Sequence, residues 1–385
     1  MLKLLVIGQT FPEPSTTAAG RRMMQLMQLF DEEGYKVIFA TTASKSPYSA
    51  DLEALGIHIV SIELNASSFD FLISGMNPSV VLFDRFNTEE QFGWRVAEQC
   101  PKALRILDTE DLHFLRKARQ EAFKSKAEAG EVSLLTDIAK RELASIFRSD
   151  LSLIISEVEM DLLYTRFKMP REILYYLPFL EEATSEEQKN ALPKFKARKH
   201  FMMIGNFQHM PNLDAVVYLK KELWPGIKKQ LPKAELHIYG AYAPQQMLAL
   251  HNEQQGFLIK GWAKEVDEVM QQAKICLAPL RFGAGLKGKL IDAMRHGTPS
   301  VTTRIGAEGM YGNLPYAGEV QDVAEDFINA CAHLYTEEKD WQQAQENGFQ
   351  IMDTRFQKKH FSEAFKLKLK QLQQNLDAHR ELNFM

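Results

Sequence analysis

Cysteine is scarce in this 385-residue sequence: Cys100, Cys276 and Cys331 are the only three, and they lie far apart. An odd number at such spacings is neither a disulfide framework nor a metal-ligand pattern. Cys276, inside the apolar run Ile275-Cys276-Leu277-Ala278, reads as a buried thiol, and the set suits a reducing cytosol. Long apolar runs are also missing, since none approaches the ~20 residues needed to cross a bilayer. The opening Met1-Leu2-Lys3-Leu4-Leu5-Val6-Ile7-Gly8 is too short for a secretory signal and soon turns polar, so it reads as a strand. There is no basic excess either: the formal net charge is −4. That disfavours a nucleic acid polymer as partner, whereas a nucleotide needs only a few local cations. No Asp-x-Asp metal motif and no low-complexity segment is present. What remains is an ordinary globular composition, 45% apolar and 25% charged, with room for two domains that each bury a core.

Short β-rich runs alternate with amphipathic segments. Strands are predicted at Leu2–Gly8, Lys36–Thr42, His58–Ile62, Val80–Asp84, Arg105–Asp108, Leu151–Ser156 and Ile173–Tyr176. Helical spacing lies between them, as at Met23, Leu26, Met27 and Phe30. This alternation predicts a parallel sheet covered on both faces. The polar stretch Glu181–Asn190 has no core-facing stripe and reads as a linker. The alternation then restarts at Phe201–Gly205 and continues through Glu235–Tyr239, Phe257–Ile259, Ile275–Pro279 and Ser300–Thr302. The expected organisation is α/β: two Rossmann-like doubly wound domains over residues 1–178 and 198–352, a linker over 179–197, and a helical arm over 353–385. That arm either braces both domains or packs on its own domain alone.

The sharpest local signal is Ala278-Pro279-Leu280-Arg281-Phe282-Gly283-Ala284-Gly285-Leu286-Lys287-Gly288-Lys289-Leu290-Ile291-Asp292. A strand ends, a glycine-rich loop follows and a helix begins. Free backbone amides and the positive end of the helix dipole then face outward together. Arg281, Lys287 and Lys289 add fixed positive charge, so a phosphate or diphosphate is the natural guest. The run Gly283 to Gly288 also fits the dinucleotide fingerprint. The acid expected ~20 residues later is missing, however, because the next strand ends in Thr302-Thr303-Arg304.

The stretch Pro279 to Gly309 resembles the donor-site region of GT-B glycosyltransferases, in the large retaining family 4 (glycosyl transferases group 1). A subgroup there carries a similar Pro-Leu-Arg-x-Gly-x-Gly-x-Lys-x-Lys run. Gly297-Thr298-Pro299-Ser300-Val301-Thr302-Thr303 and Ile305-Gly306-Ala307-Glu308-Gly309 continue the likeness. Upstream, Gly205-Asn206-Phe207-Gln208-His209-Met210-Pro211-Asn212 is similar to the turn that opens that subgroup's second domain, and Gly261-Trp262 fits as well. The likeness is specific over about Phe201 to Met310 and weak over the first half. There, only Gly8 to Leu29 and Leu107-Asp108-Thr109-Glu110-Asp111-Leu112-His113 look familiar. The sequence departs from the family at functional positions: the family's Arg and Lys pair near the start of the second domain is not visible in Gly205 to Leu213, where Lys287 and Arg281 would supply that charge. The family's two glutamates, seven residues apart, fall here at Ala284 and Asp292. The resemblance implies that Asp292 holds the donor ribose and that Glu308 stands in at the sugar.

The resemblance further implies transfer of a sugar from a UDP- or GDP-linked donor to a glycan, lipid-linked or other hydroxyl acceptor, with retention and without a required metal or cofactor. The donor site would comprise Gly205, Asn206, Gly283, Gly285, Lys287, Lys289, Asp292 and Glu308, with Lys287, Arg281 and His113 as catalytic candidates. Gly20 and Arg21, in the loop after the first strand, are acceptor-side candidates; the competing reading is a helix cap beside a solvated arginine. His113 and His209 are read either as proton-handling groups or as surface and capping residues. Lys366, Lys368 and Lys370 form a solvated face or a contact with the inner membrane surface of a cytoplasmic protein. The rival functions are an epimerase-like enzyme of the same fold and a non-catalytic scaffold.

Overall fold

The computed structural model describes residues 2–126 and 133–383. Its first sheet has seven parallel strands: β1 (Lys3–Gly8), β2 (Lys36–Thr41), β3 (His58–Ser61), β4 (Val80–Asp84), β5 (Leu104–Asp108), β6 (Leu151–Ile154) and β7 (Leu174–Tyr176). Their order across the sheet is β3-β2-β1-β4-β5-β6-β7. The sheet is buried on both sides, and β1 shows why its strands are apolar throughout. Leu5 and Ile7 pack into one cluster and Leu4 and Val6 into another, because successive side chains leave opposite faces.

The second sheet repeats the plan with six strands: β8 (His200–Ile204), β9 (Leu236–Tyr239), β10 (Phe257–Gly261), β11 (Ala273–Ala278), β12 (Ser300–Thr302) and β13 (Gly318–Val320). Their order is β10-β9-β8-β11-β12-β13, again parallel. In each sheet the strand order reverses beside the first strand, between β1 and β4 and between β8 and β11. Ligands of open parallel sheets gather in the crevice beyond the carboxyl ends at such points. The three-residue edge strand β13 was not predicted; Gly318-Glu319-Val320 is too short to show a period.

The polar stretch after residue 180 holds a short helix, Glu186–Ala191. Ser185 and Gln188 close a capping box at its start, and none of its residues is buried. The chain then crosses back. Glu181 N–H donates to Phe356 O at 2.8 Å and Lys358 N–H to Glu181 O at 2.9 Å. Beyond that crossing, the helix Ser362–Gln374 places Phe365, Leu369 and Leu372 in the core of the first domain. Lys366 pairs with Glu33, and Lys368 donates to Glu172 O. Between the sheets, Ile155 and Phe179 share an apolar cluster with Leu286, Leu290, Met294 and Met352. Among the described residues, no helix is long and apolar enough to cross a membrane.

Candidate active site

A cleft of 440 Å³ opens between the two sheets at their carboxyl ends, within the range of small-molecule sites. Its second-domain wall is the loop after β11 and the helix Gly288–Arg295, joined by Gly205, Asn206 and Trp262. Its first-domain wall carries Arg21, Arg85, Glu110, Asp111 and His113.

The loop is shaped by close approach. Gly285 has φ +64, and a Cβ there would stand 2.7 Å from Asp111 Cβ in the opposite domain. A Cβ on Gly288 would meet Ala18 Cβ at 2.7 Å. Only glycine lets these two domains come so near at the mouth of the helix. No side chain caps that helix, so its first amides are available to a ligand. Lys287, buried beside them, donates from Nζ to Ala284 O at 3.0 Å and Gly285 O at 2.6 Å. Lys289 donates to Asn212 Oδ1 at 2.6 Å. Burial pushes both ammonium groups down to about 8. They are thus cations whose charge is costly until an anion arrives.

Several predicted site residues do not meet at the cleft. Arg281 is turned away from it. Its guanidinium forks onto Asp214 at 2.9 and 2.7 Å and stacks between Phe123 and Tyr218 at 4.5 and 4.4 Å. A side chain so engaged holds the loop's outer face and is not positioned to touch a bound diphosphate. Glu308 is likewise spent in a fork with Arg119, two contacts of 2.8 Å, and does not line the cleft. Gly20 is a packing position: a Cβ there would lie 2.5 Å from the backbone of Glu13. Arg21 does reach the cleft wall, where it pairs with Asp292 of the other domain. The acid expected to hold ribose is therefore an interdomain bridge in this state. Ala284 packs into the apolar cluster of the first domain, a place where a glutamate would bury its charge.

His113 lies on the cleft wall at the start of the helix His113–Ser125, and burial holds its imidazole down at about 4. It is neutral near pH 7 and can accept or donate a hydrogen bond there, but it carries no spare proton. His209 is 3.0 Å from Arg116, and burial, then that arginine, takes it to about 3. Two buried acids that no sequence signal marked organise this wall. Glu142 accepts from the His113 and Phe114 amides at 3.1 and 2.9 Å. Glu159 Oε1 accepts from Leu112 N–H at 3.0 Å and, across the domain boundary, from Gly285 N–H at 2.9 Å. Burial raises both carboxyls to about 8, Asp111 pushes Glu159 further the same way, and Lys287 opposes it.

Glu159 therefore keeps in the folded protein a proton that the unfolded chain loses near 4.5. Its contribution to stability is full below 4.5 and disappears as pH rises through about 8. Glu159→Gln keeps the two accepted hydrogen bonds and removes the titration. Denaturant unfolding at pH 5 and pH 8 is expected to show a smaller fall in stability for the variant than for the wild type, leaving the share due to the other buried acids with raised carboxyls, Glu142, Asp108 and Glu110. An unchanged fall would mean that Glu159 is ionised in the fold.

Two Rossmann-like domains facing each other over a cleft, with an amide-rich and lysine-rich loop on the second, constitute the GT-B fold. Residues 198–337, most of the second domain, match the family model described as "Glycosyl transferases group 1". Sequence comparison with curated proteins returns no match. Among solved structures, the chain is similar in fold to a sucrose-phosphate synthase from Thermosynechococcus elongatus at 15% identity and TM-score 0.71, covering 98% of this chain and 100% of that one. It is similar to a TarM mutant from S. aureus, described in complex with fondaparinux, alpha-GlcNAc-glycerol and UDP, at 10% identity and TM-score 0.73, covering 96% and 100%. It is also similar to the pneumococcal O-GlcNAc transferase GtfA, described with UDP and GlcNAc, at 12% identity and TM-score 0.67, covering 96% and 99%.

Proposed function

We propose that this protein transfers a sugar from a nucleoside-diphosphate sugar to a hydroxyl acceptor, with retention and without a required metal. The observation that carries this reading is the pairing of Lys287 and Lys289 with the uncapped start of helix Gly288–Arg295 on the wall of an interdomain cleft. As the sugar–phosphate bond breaks, the leaving diphosphate gains negative charge. Fixed ammonium groups and oriented amides stabilise that charge more than they stabilise the intact donor, which lowers the barrier. The family match over residues 198–337 and neighbours described with UDP support a uridine nucleotide. Donor ribose would compete with Arg21 for Asp292, so donor binding would break the salt bridge between the domains. Closure of the walls around the donor would then align the acceptor and exclude water. Lys366 and Lys368 are engaged within the first domain, and a soluble acceptor suits the cleft without any membrane contact.

The test is a titration with UDP and GDP across pH. Both lysines lose their proton near 8 in the free protein, and a bound diphosphate favours their charged forms. Binding must therefore take up protons as pH rises, and affinity should fall between pH 7 and pH 9 by up to about tenfold per unit for each lysine. Absence of saturable binding by either nucleotide, or an affinity that does not change over that range, overturns the assignment.

A further inference from the structure

The first-domain wall contains a carboxyl with no evident structural task. Strands β4 and β5 end side by side, with Asp84 in register with Asp108. Each strand then makes an unusual turn, through Arg85 at φ 69 and Glu110 at φ 62. Both are bulky residues in the left-handed region, and both line the cleft. Glu110 is 8% exposed, and its Oε1 is buried with no hydrogen-bond partner. A buried acceptor left open in this way is costly unless a ligand fills it.

From this we infer that Glu110 is the seat of an acceptor hydroxyl, and that the acceptor presents an uncharged polyol end, such as a terminal hexopyranosyl ring, to the wall formed by Gln9, Arg85, Glu110 and Asp111. The inference rests on the glycosyl-transfer reading and names the acceptor class for it. Charge pairing on the wall selects against anionic acceptors. Arg22 is held by Asp108, Arg116 lies 3.4 Å from Asp111, and Arg85 lies 3.7 Å from Asp84 and donates to Gln9 Oε1 at 3.2 Å. An acceptor phosphate would meet Asp111 on the cleft wall, and the lining guanidiniums Arg21, Arg85 and Arg116 each already face an acid. Burial, then Asp108, raises the Glu110 carboxyl well above its ordinary range. That direction favours the protonated acid, which both donates and accepts, as a sugar hydroxyl does.

The experiment titrates uncharged methyl hexopyranosides and the corresponding hexose 6-phosphates into UDP-loaded wild type, E110A and E110Q by calorimetry. At least one methyl glycoside is expected to bind the wild type. Binding should weaken at least tenfold in E110A and less in E110Q, whose amide still donates and accepts, while UDP affinity stays within about twofold in both. Equal glycoside binding by E110A, a preference for the phosphates, or no binding by any member of the panel overturns the proposal. Failure of the wild type to bind UDP would overturn the donor reading instead, and the same glycoside titration without nucleotide would still report on Glu110.

Discussion

Lys287→Ala is expected to lower kcat/KM for the nucleotide-sugar donor on the order of 10²- to 10³-fold, the loss that follows removal of one oriented donor from a site of developing charge. The size reflects two effects. The ammonium is buried on the cleft wall with little water to screen it, so its attraction for a phosphate exceeds that of a surface lysine. It also ties Ala284 O and Gly285 O together, which fixes the loop from which the helix amides point. Titration with uridine beside UDP separates the two. Loss of charge alone weakens UDP and spares uridine, whereas a collapsed loop weakens both. Lys287→Arg should restore only part of the rate, because a planar guanidinium cannot reach the same two carbonyls from the same place. Lys289→Ala should cost less, since its ammonium bonds one side chain, Asn212, and does not tie the loop carbonyls together. An alanine variant at position 287 within about threefold of wild type would remove the lysine from the reaction.

What could be read from the sequence follows the range of the interaction concerned. Strands β1 and β11 are apolar on both faces, so their burial is written into consecutive residues. The glycine- and lysine-rich loop after β11 is legible because its glycines, lysines and following helix lie within one short stretch. Long-range pairing is not legible. Arg281 looked free as a cation until the fold brought up Asp214, 67 residues away. Glu308 and Arg119 are 189 residues apart, and Arg21 and Asp292 are 271 apart. In each case a local motif supplied the charge and the tertiary structure decided whether it was available. Glu142 and Glu159 were hidden for the same reason: on amphipathic helices they look like solvated acids, yet both are buried beneath the start of the helix His113–Ser125. Ala284 becomes intelligible only from the fold, because that position faces the first domain's core and not open solvent.

Arg22→Met is expected to destabilise the protein by about 3–5 kcal/mol, the usual result of removing one partner from a buried ion pair. Arg22 is 1% exposed and Asp108 is fully buried. The arginine donates from Nε to both carboxylate oxygens at 2.9 and 3.1 Å, and from Nη1 to Leu177 O at 2.7 Å. The variant leaves Asp108 as a lone buried acid beside Asp84 and Glu110, and leaves the carbonyl of Leu177 without that donor. The loss should depend on pH. Burial already raises the Asp108 carboxyl and Arg22 opposes that rise; without the arginine the folded state holds the proton to a still higher pH, so the variant's stability falls further as pH rises. Denaturant unfolding should therefore show a larger difference from wild type at pH 8 than at pH 5. Because Leu177 and Pro178 are where the first domain hands the chain to the second, the variant should also loosen the approach of the two walls. In the variant, UDP affinity at pH 7 is expected to fall by less than the donor's kcat/KM, since the proposed diphosphate seat lies on the second domain while turnover needs both walls. A difference in stability below about 1 kcal/mol at both pH values would show that the Arg22–Asp108 pair is dispensable to the fold.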